Sequence, residues 1–140
     1  MKYSKYVFVL LSIFFSVLLL GSSCDNDPGG TVVGSDEGNK VINNVSFTVT
    51  GLETSSSSLK ASGTVKNTGT STITSPWYVE GQFYADSTLT LKLGGKNIRI
   101  GVPLEAGIET IWTITFSDPN IAEGDYPNFR ISNLRAYYVE

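Results

Sequence analysis

From Lys40 onward, apolar and polar residues alternate with period two, and no window repeats apolar residues at the three- and four-residue spacing of a helix. Valine, isoleucine, threonine and aromatic residues fill the alternating positions, so the pattern predicts an all-β domain. Val41 to Thr50 predicts a first strand with Val45, Phe47 and Val49 facing inward, and Gly51 to Ser58 a turn. A second strand places Leu59, Ala61, Gly63 and Val65 on one face, and Asn67-Thr68-Gly69 closes it. Pro76 lacks an amide hydrogen and so begins rather than interrupts the third strand, Trp77 to Ala85, which turns Trp77, Val79, Phe83 and Ala85 one way. Tyr78, Glu80, Gln82 and Tyr84 turn the other way.

Two shorter strands, Thr88 to Leu93 and Asn97 to Val102, are predicted about a tight turn at Gly94-Gly95. A crossing loop over Val102 to Gly107 follows, then a strand from Thr110 to Ser117 with Trp112, Ile114 and Phe116 inward. The last strand, Phe129 to Val139, changes phase: Phe129 and Ile131 keep one parity, Leu134, Ala136 and Tyr138 the other. A bulge at Ser132-Asn133 reconciles them. About seven short strands separated by turns predict an immunoglobulin-like antiparallel β-sandwich over residues 40–140.

Four segments of this region resemble one family. Gly63-Thr64-Val65-Lys66-Asn67-Thr68-Gly69, the aromatic strand Val79 to Asp86, Pro103-Leu104-Glu105-Ala106-Gly107 and Trp112-Thr113-Ile114-Thr115-Phe116 are similar to the FxLYD-type immunoglobulin-like domains of bacterial envelope proteins. Phe83-Tyr84-Ala85-Asp86 departs from that pattern by interposing an alanine where the family has Tyr-Asp. The resemblance implies a sandwich used as a binding or spacer module, with no shared active site.

The chain ahead of the domain follows a different pattern. Lys2 and Lys5 precede an apolar run of about 14 residues, Val7 to Leu20, which is the length of a signal-peptide core and shorter than a membrane-spanning helix. The run ends at Leu20-Gly21-Ser22-Ser23-Cys24, which resembles the lipobox of bacterial lipoproteins, with leucine four residues before the cysteine instead of the usual three. The resemblance implies that residues 1–23 are a signal peptide cut between Ser23 and Cys24, and that Cys24 carries the lipid anchor. No cofactor is expected beyond that covalent lipid. Residues 24–39 read as a flexible acidic linker able to reach roughly 50 Å when stretched, at about 3.3 Å per residue. Asp25 and Asp27, directly after the lipidated position, resemble an export signal to the outer face of the outer membrane. The expected location is therefore lipid-anchored in the outer membrane facing the cell surface, with a periplasm-facing scaffold as the alternative.

Charge and composition narrow the function. Without Lys2 and Lys5, eight basic residues stand against thirteen acidic ones, a net charge of −5, which argues against a nucleic-acid partner. Histidine is absent and Cys24 is the sole cysteine, so the domain has no disulfide and lacks the usual general base near neutral pH. A non-enzymatic binding or structural module is expected, with an unknown protein or glycan as partner and the membrane reached through the lipid.

Three candidate sites remain. Tyr78, Tyr84, Tyr137 and Tyr138 are candidates for an aromatic platform on which a sugar ring stacks, with Glu80, Gln82 and Arg135 supplying hydrogen bonds, as in a carbohydrate-binding or adhesion accessory. Asp86-Ser87-Thr88 resembles an acceptor for bacterial O-glycosylation, with Ser87 modified. The loop from Ser117 to Asp125 supplies Asp118, Glu123 and Asp125 as oxygen ligands of the kind calcium uses, in a spacing that matches no defined calcium loop. No metal is otherwise expected.

Overall fold

The computed structural model describes residues 38–140. The signal segment, Cys24 and nearly all of the linker therefore lie outside the described residues. Seven strands follow in order: β1 (Asn39–Ile42), β2 (Val45–Ser55), β3 (Ser58–Asn67), β4 (Trp77–Tyr84), β5 (Lys92–Ile100), β6 (Glu109–Ser117) and β7 (Arg130–Val139). They form two antiparallel sheets, one ordered β1-β7-β4-β5 and the other β2-β3-β6. The fold is the expected all-β sandwich. Asn39 already pairs with Val139, so the first strand begins one residue before the expected start of the domain at Lys40.

Period-two alternation builds the core between the sheets. Leu59, Ala61 and Val65 of β3 and Trp112 and Ile114 of β6 meet Trp77, Val79 and Phe83 of β4, all of them at most 1% exposed. Phe83 stacks with Phe116 at 5.6 Å and with Phe129 at 6.0 Å, joining both sheets through rings. Trp77 Nε1 donates to the Val102 carbonyl at 2.9 Å, so its polar edge is satisfied within the core.

Local departures from the sequence reading have identifiable causes. Val41 to Thr50 is two strands, because β1 joins β7 while β2 crosses to the other sheet. Gly51 to Ser55 remains in β2, paired with Ser58 to Ser62, and the turn is confined to Ser56-Ser57, with Ser57 at φ 65°. A register shift between Val49 and Gly51 reverses the facing of the strand, leaving Val49 exposed and sending Leu52 against the core.

Gly94-Gly95 is strand and not turn: β5 runs straight through it. A side chain at Gly94 would collide with the Phe116 ring, and one at Gly95 would lie 2.7 Å from Gln82 Oε1, so both glycines serve close approach. The turn lies upstream instead, where Ala85 N donates to the Leu91 carbonyl at 2.9 Å and closes the β4–β5 hairpin. The phase change in β7 is real. Glu80 pairs with Arg135 and Gln82 with Ser132, so Asn133 and Leu134 together oppose Gly81, and Asn133 takes φ 51°.

Candidate functional site

Residues directly opposed in an antiparallel sheet share a face, so the register defines what the outer surface of the four-stranded sheet presents. One row crosses all four strands: Val41, Tyr137, Tyr78 and Arg99. The next holds Arg135, Glu80 and Asn97, then come Ser132, Gln82 and Gly95, and a last row holds Arg130, Tyr84 and Lys92.

Tyr137 organises this face. Its ring stacks on Tyr78 with centroids 5.5 Å apart and planes 18° from parallel, and the Arg135 guanidinium lies 5.8 Å from its centroid. Its hydroxyl accepts a 2.8 Å hydrogen bond from Asn97 Nδ2 on β5, so the ring, rooted on β7, lies across β4. That posture explains two burials unusual for an outer face: Tyr137 is 2% exposed and Glu80 3%. The carboxylate of Glu80 is neutralised by Arg135, whose Nε donates to Glu80 Oε1. Beside them Gln82 is buried, and its Oε1 accepts no hydrogen bond from the described residues.

Burial, then the nearby Glu80 carboxylate, pushes the Tyr137 phenol above its ordinary value of 10.0, against the hydrogen bond from Asn97 and the Arg135 charge. A folded pKa raised above the unfolded one stabilises the fold fully below pH 10 and loses that contribution as pH rises through the folded value. We predict that Tyr137→Phe flattens the fall in stability above about pH 10, measured by urea unfolding at stepped pH. An unchanged alkaline slope would show that Tyr137 is not the group responsible.

The four tyrosines do not form one platform. Tyr78 and Tyr137 are brought together; Tyr84 shares their face at the far end of β4, where its hydroxyl accepts from Asn133 Nδ2 at 2.9 Å. Tyr138 is turned to the opposite side, as its neighbour Tyr137 requires, and its hydroxyl accepts from Thr74 N at 3.1 Å. There it lines a half-open cleft of about 450 Å³ bounded by Lys40 to Asn44 of the β1 edge and by the loop leaving β3, a feature with no signal in the sequence pattern.

Ser87 lies exposed in the β4–β5 turn. Asp86 Oδ1 beside it accepts from Thr88 Oγ1 at 2.6 Å and Thr88 N at 2.8 Å, which holds the Asp86 carboxyl below the usual carboxylate range. In the acidic loop, Asp118 Oδ1 accepts from Asn120 N and Nδ2, both at 2.9 Å, while Asp125 Oδ2 accepts from Ala122 N at 2.8 Å and Glu123 is exposed. Asp118 and Asp125 thus tie separate turns, and among the described residues no three His, Cys, Asp or Glu side chains converge as metal ligands.

Asn97, Arg99, Lys92 and Arg130 are the residues of this face that sequence reading missed. The alternation of Lys92 to Ile100 held the signal, once Gly94-Gly95 is taken as strand. Among the described residues no helix is long and apolar enough to cross a membrane. No protein-family model matches the chain, and neither does any curated protein or solved structure. The functional reading therefore rests on this chain's own residues.

Proposed function

We propose that this chain is a lipid-anchored envelope protein of the outer membrane, facing the cell surface, whose sandwich is a non-enzymatic binding module. The lipobox-like Leu20 to Cys24 and the acidic linker support the anchor. The binding role is carried by one observation, the stacked Tyr78–Tyr137 pair on the outer face of the four-stranded sheet, flanked by Val41, Arg99 and Arg135. Tyrosine and arginine around an apolar centre is the composition found at interaction hot spots, because each offers large contact area with little entropy lost on ordering.

A carbohydrate is the favoured partner class. Tyr78 is partly exposed and presents a ring to solvent-side ligands, and the face around it carries amide and guanidinium donors suited to hydroxyl groups.

Three experiments test this reading. Cys24→Ala should shift the protein from the membrane to the soluble fraction and abolish lipid labelling; retention at the membrane would remove the anchor. Protease shaving of intact cells should then degrade the lipidated domain, and protection until the outer membrane is opened would place it in the periplasm. On a glycan array, Tyr78→Ala should weaken binding with an unchanged melting temperature, and equal binding would remove the outer face as the site.

A further inference from the structure

The cations of the described domain are unevenly placed. Lys40, Lys92, Lys96, Arg99, Arg130 and Arg135 all belong to the four-stranded sheet, and only Lys60 and Lys66 to the other. Lys60 is held by Glu53 at 2.5 Å. Within the strands of the four-stranded sheet the only acid is Glu80, and it is buried and matched by Arg135. Asp86, Glu105, Asp118, Glu123 and Asp125 sit in the connections between strands, Asp86 just beyond the Tyr84–Lys92 pair.

Register sets Lys40 and Lys96 on the opposite face and leaves Arg99, Lys92 and Arg130 beside two aromatic positions of the outer face. Arg99 stands opposite Tyr78 at one end of β4; Arg130 and Lys92 stand on either side of Tyr84 at the other. Arg99 and Arg130 are exposed. Arg130 is steadied by Nη1, which donates to the Asn128 and Phe129 carbonyls at 3.1 and 2.8 Å. Tyr78 and Tyr84 are six residues apart on one strand, about 20 Å at roughly 3.3 Å per residue. Between them runs a polar strip of Asn97, Gln82 and Ser132. A chain with net charge −3 thus carries, on one face, two rings flanked by cations at the ends of an amide-rich track.

We propose that this face binds an acidic polysaccharide, one whose sugar rings stack on Tyr78 and Tyr84 while its carboxylates meet Arg99, Lys92 and Arg130. The inference rests on the outer face being the binding face and adds the charge of the ligand. The spacing favours an extended polymer over a single sugar, since one ring cannot reach both aromatic positions. A glycan is preferred to a nucleic acid because the signal-peptide reading places the domain outside the cytoplasm, where the accessible polyanions are glycans.

The test uses the full chain purified in detergent with its anchor, and polygalacturonate as the probe, with dextran as the neutral polymer and a single-stranded oligonucleotide as the other polyanion. Polygalacturonate should bind with an affinity that falls as salt rises, dextran should bind far less, and the oligonucleotide should bind more weakly than polygalacturonate. Arg99→Gln and Lys92→Gln should each weaken binding by about tenfold, the loss of one charge-assisted contact, while the distant Glu105→Gln leaves it within about twofold. Melting curves of the variants should overlay that of the parent.

No binding of polygalacturonate, equal binding of dextran, or oligonucleotide binding at least as tight would each overturn the proposal. Neutral-glycan binding that is lost in Tyr78→Ala and kept in Arg99→Gln would leave the binding face standing and remove the acidic ligand. Polygalacturonate binding indifferent to both substitutions would remove the face as well.

Discussion

Arg135→Ala should cost the domain about 3–5 kcal/mol, a large share of the 5–15 kcal/mol that holds a typical domain together. The reason is Glu80, at 3% exposed on the central strand β4, with the Tyr137 ring laid across the strand beside it. Arg135 Nε donates to Glu80 Oε1, and without that guanidinium a carboxylate stays desolvated at a place where burial already pushes the neighbouring Tyr137 phenol up. The loss is then the penalty of an unmatched buried charge and exceeds what the pair contributes net. Glu80→Gln in the Arg135→Ala background should therefore restore much of the stability, since it removes the charge while keeping shape. Urea unfolding of the two single variants and the double variant measures this. A cost below about 1 kcal/mol for Arg135→Ala, or no recovery in the double variant, would mean that Glu80 does not depend on Arg135.

The pair also bears on the binding face. Arg135 supports the Tyr137 ring from one side and neutralises the carboxylate beside it, so it positions the aromatic stack as well as stabilising the sheet. That is why the binding tests rest on the exposed Arg99 and the half-buried Lys92. A defect in Arg135 variants would mix lost contact with lost structure.

The parts of this fold visible in the sequence are those where one residue's facing repeats regularly. Leu59-Ala61-Val65 and Trp112-Ile114 alternate without interruption, and all five are buried as the pattern requires. The phase change in β7 was also visible, because apolar residues on both sides of Asn133 cannot share a face unless the strand gains a residue.

Glycine was where the pattern misled. Gly94-Gly95 carries the same letters as a hairpin turn, and what distinguishes it is the Phe116 ring and the Gln82 amide pressing on it from other strands. Those neighbours are distant in sequence. Gly51 misled in the same way: a register shift beside it carries β2 onward to Ser55, where turn residues alone suggested an end.

The binding face was half legible for a related reason. Alternation correctly put Tyr78, Glu80, Gln82 and Tyr84 on one side of β4, and Tyr137 and Arg135 on one side of β7. It does not reveal that Tyr137 lies flat across β4 to reach Asn97, which converts an outward tyrosine into a buried one. Adding Tyr138 to the platform conflicted with alternation itself, since adjacent residues of a strand face opposite sides.

Asn67 illustrates a residue whose letter was noticed for one role and whose larger role is elsewhere. It stands at the end of β3 in the Gly63 to Asn67 motif and was read as the opening of a turn, which it is: its Oδ1 accepts from Gly69 N at 2.9 Å. At 1% exposure its Nδ2 also donates to Ser71 O at 2.8 Å and to Leu104 O at 3.0 Å. One amide thus ties the β3–β4 loop to the β5–β6 loop, next to the Ile73–Leu104 bridge that closes that end of the core. Asn67→Ala should cost about 3 kcal/mol, from three bonds of roughly 1 kcal/mol each. Asn67→Asp is the sharper test. It keeps the acceptor for Gly69 but sets a carboxylate against two carbonyl oxygens, which should raise its folded pKa above the unfolded value of about 3.9. Stability should then be highest below that unfolded value and decline as pH rises through the folded one, a dependence that Asn67→Ala does not show. If the aspartate variant matches the parent at neutral pH, the two loops are held by their backbone bridge and the amide is dispensable.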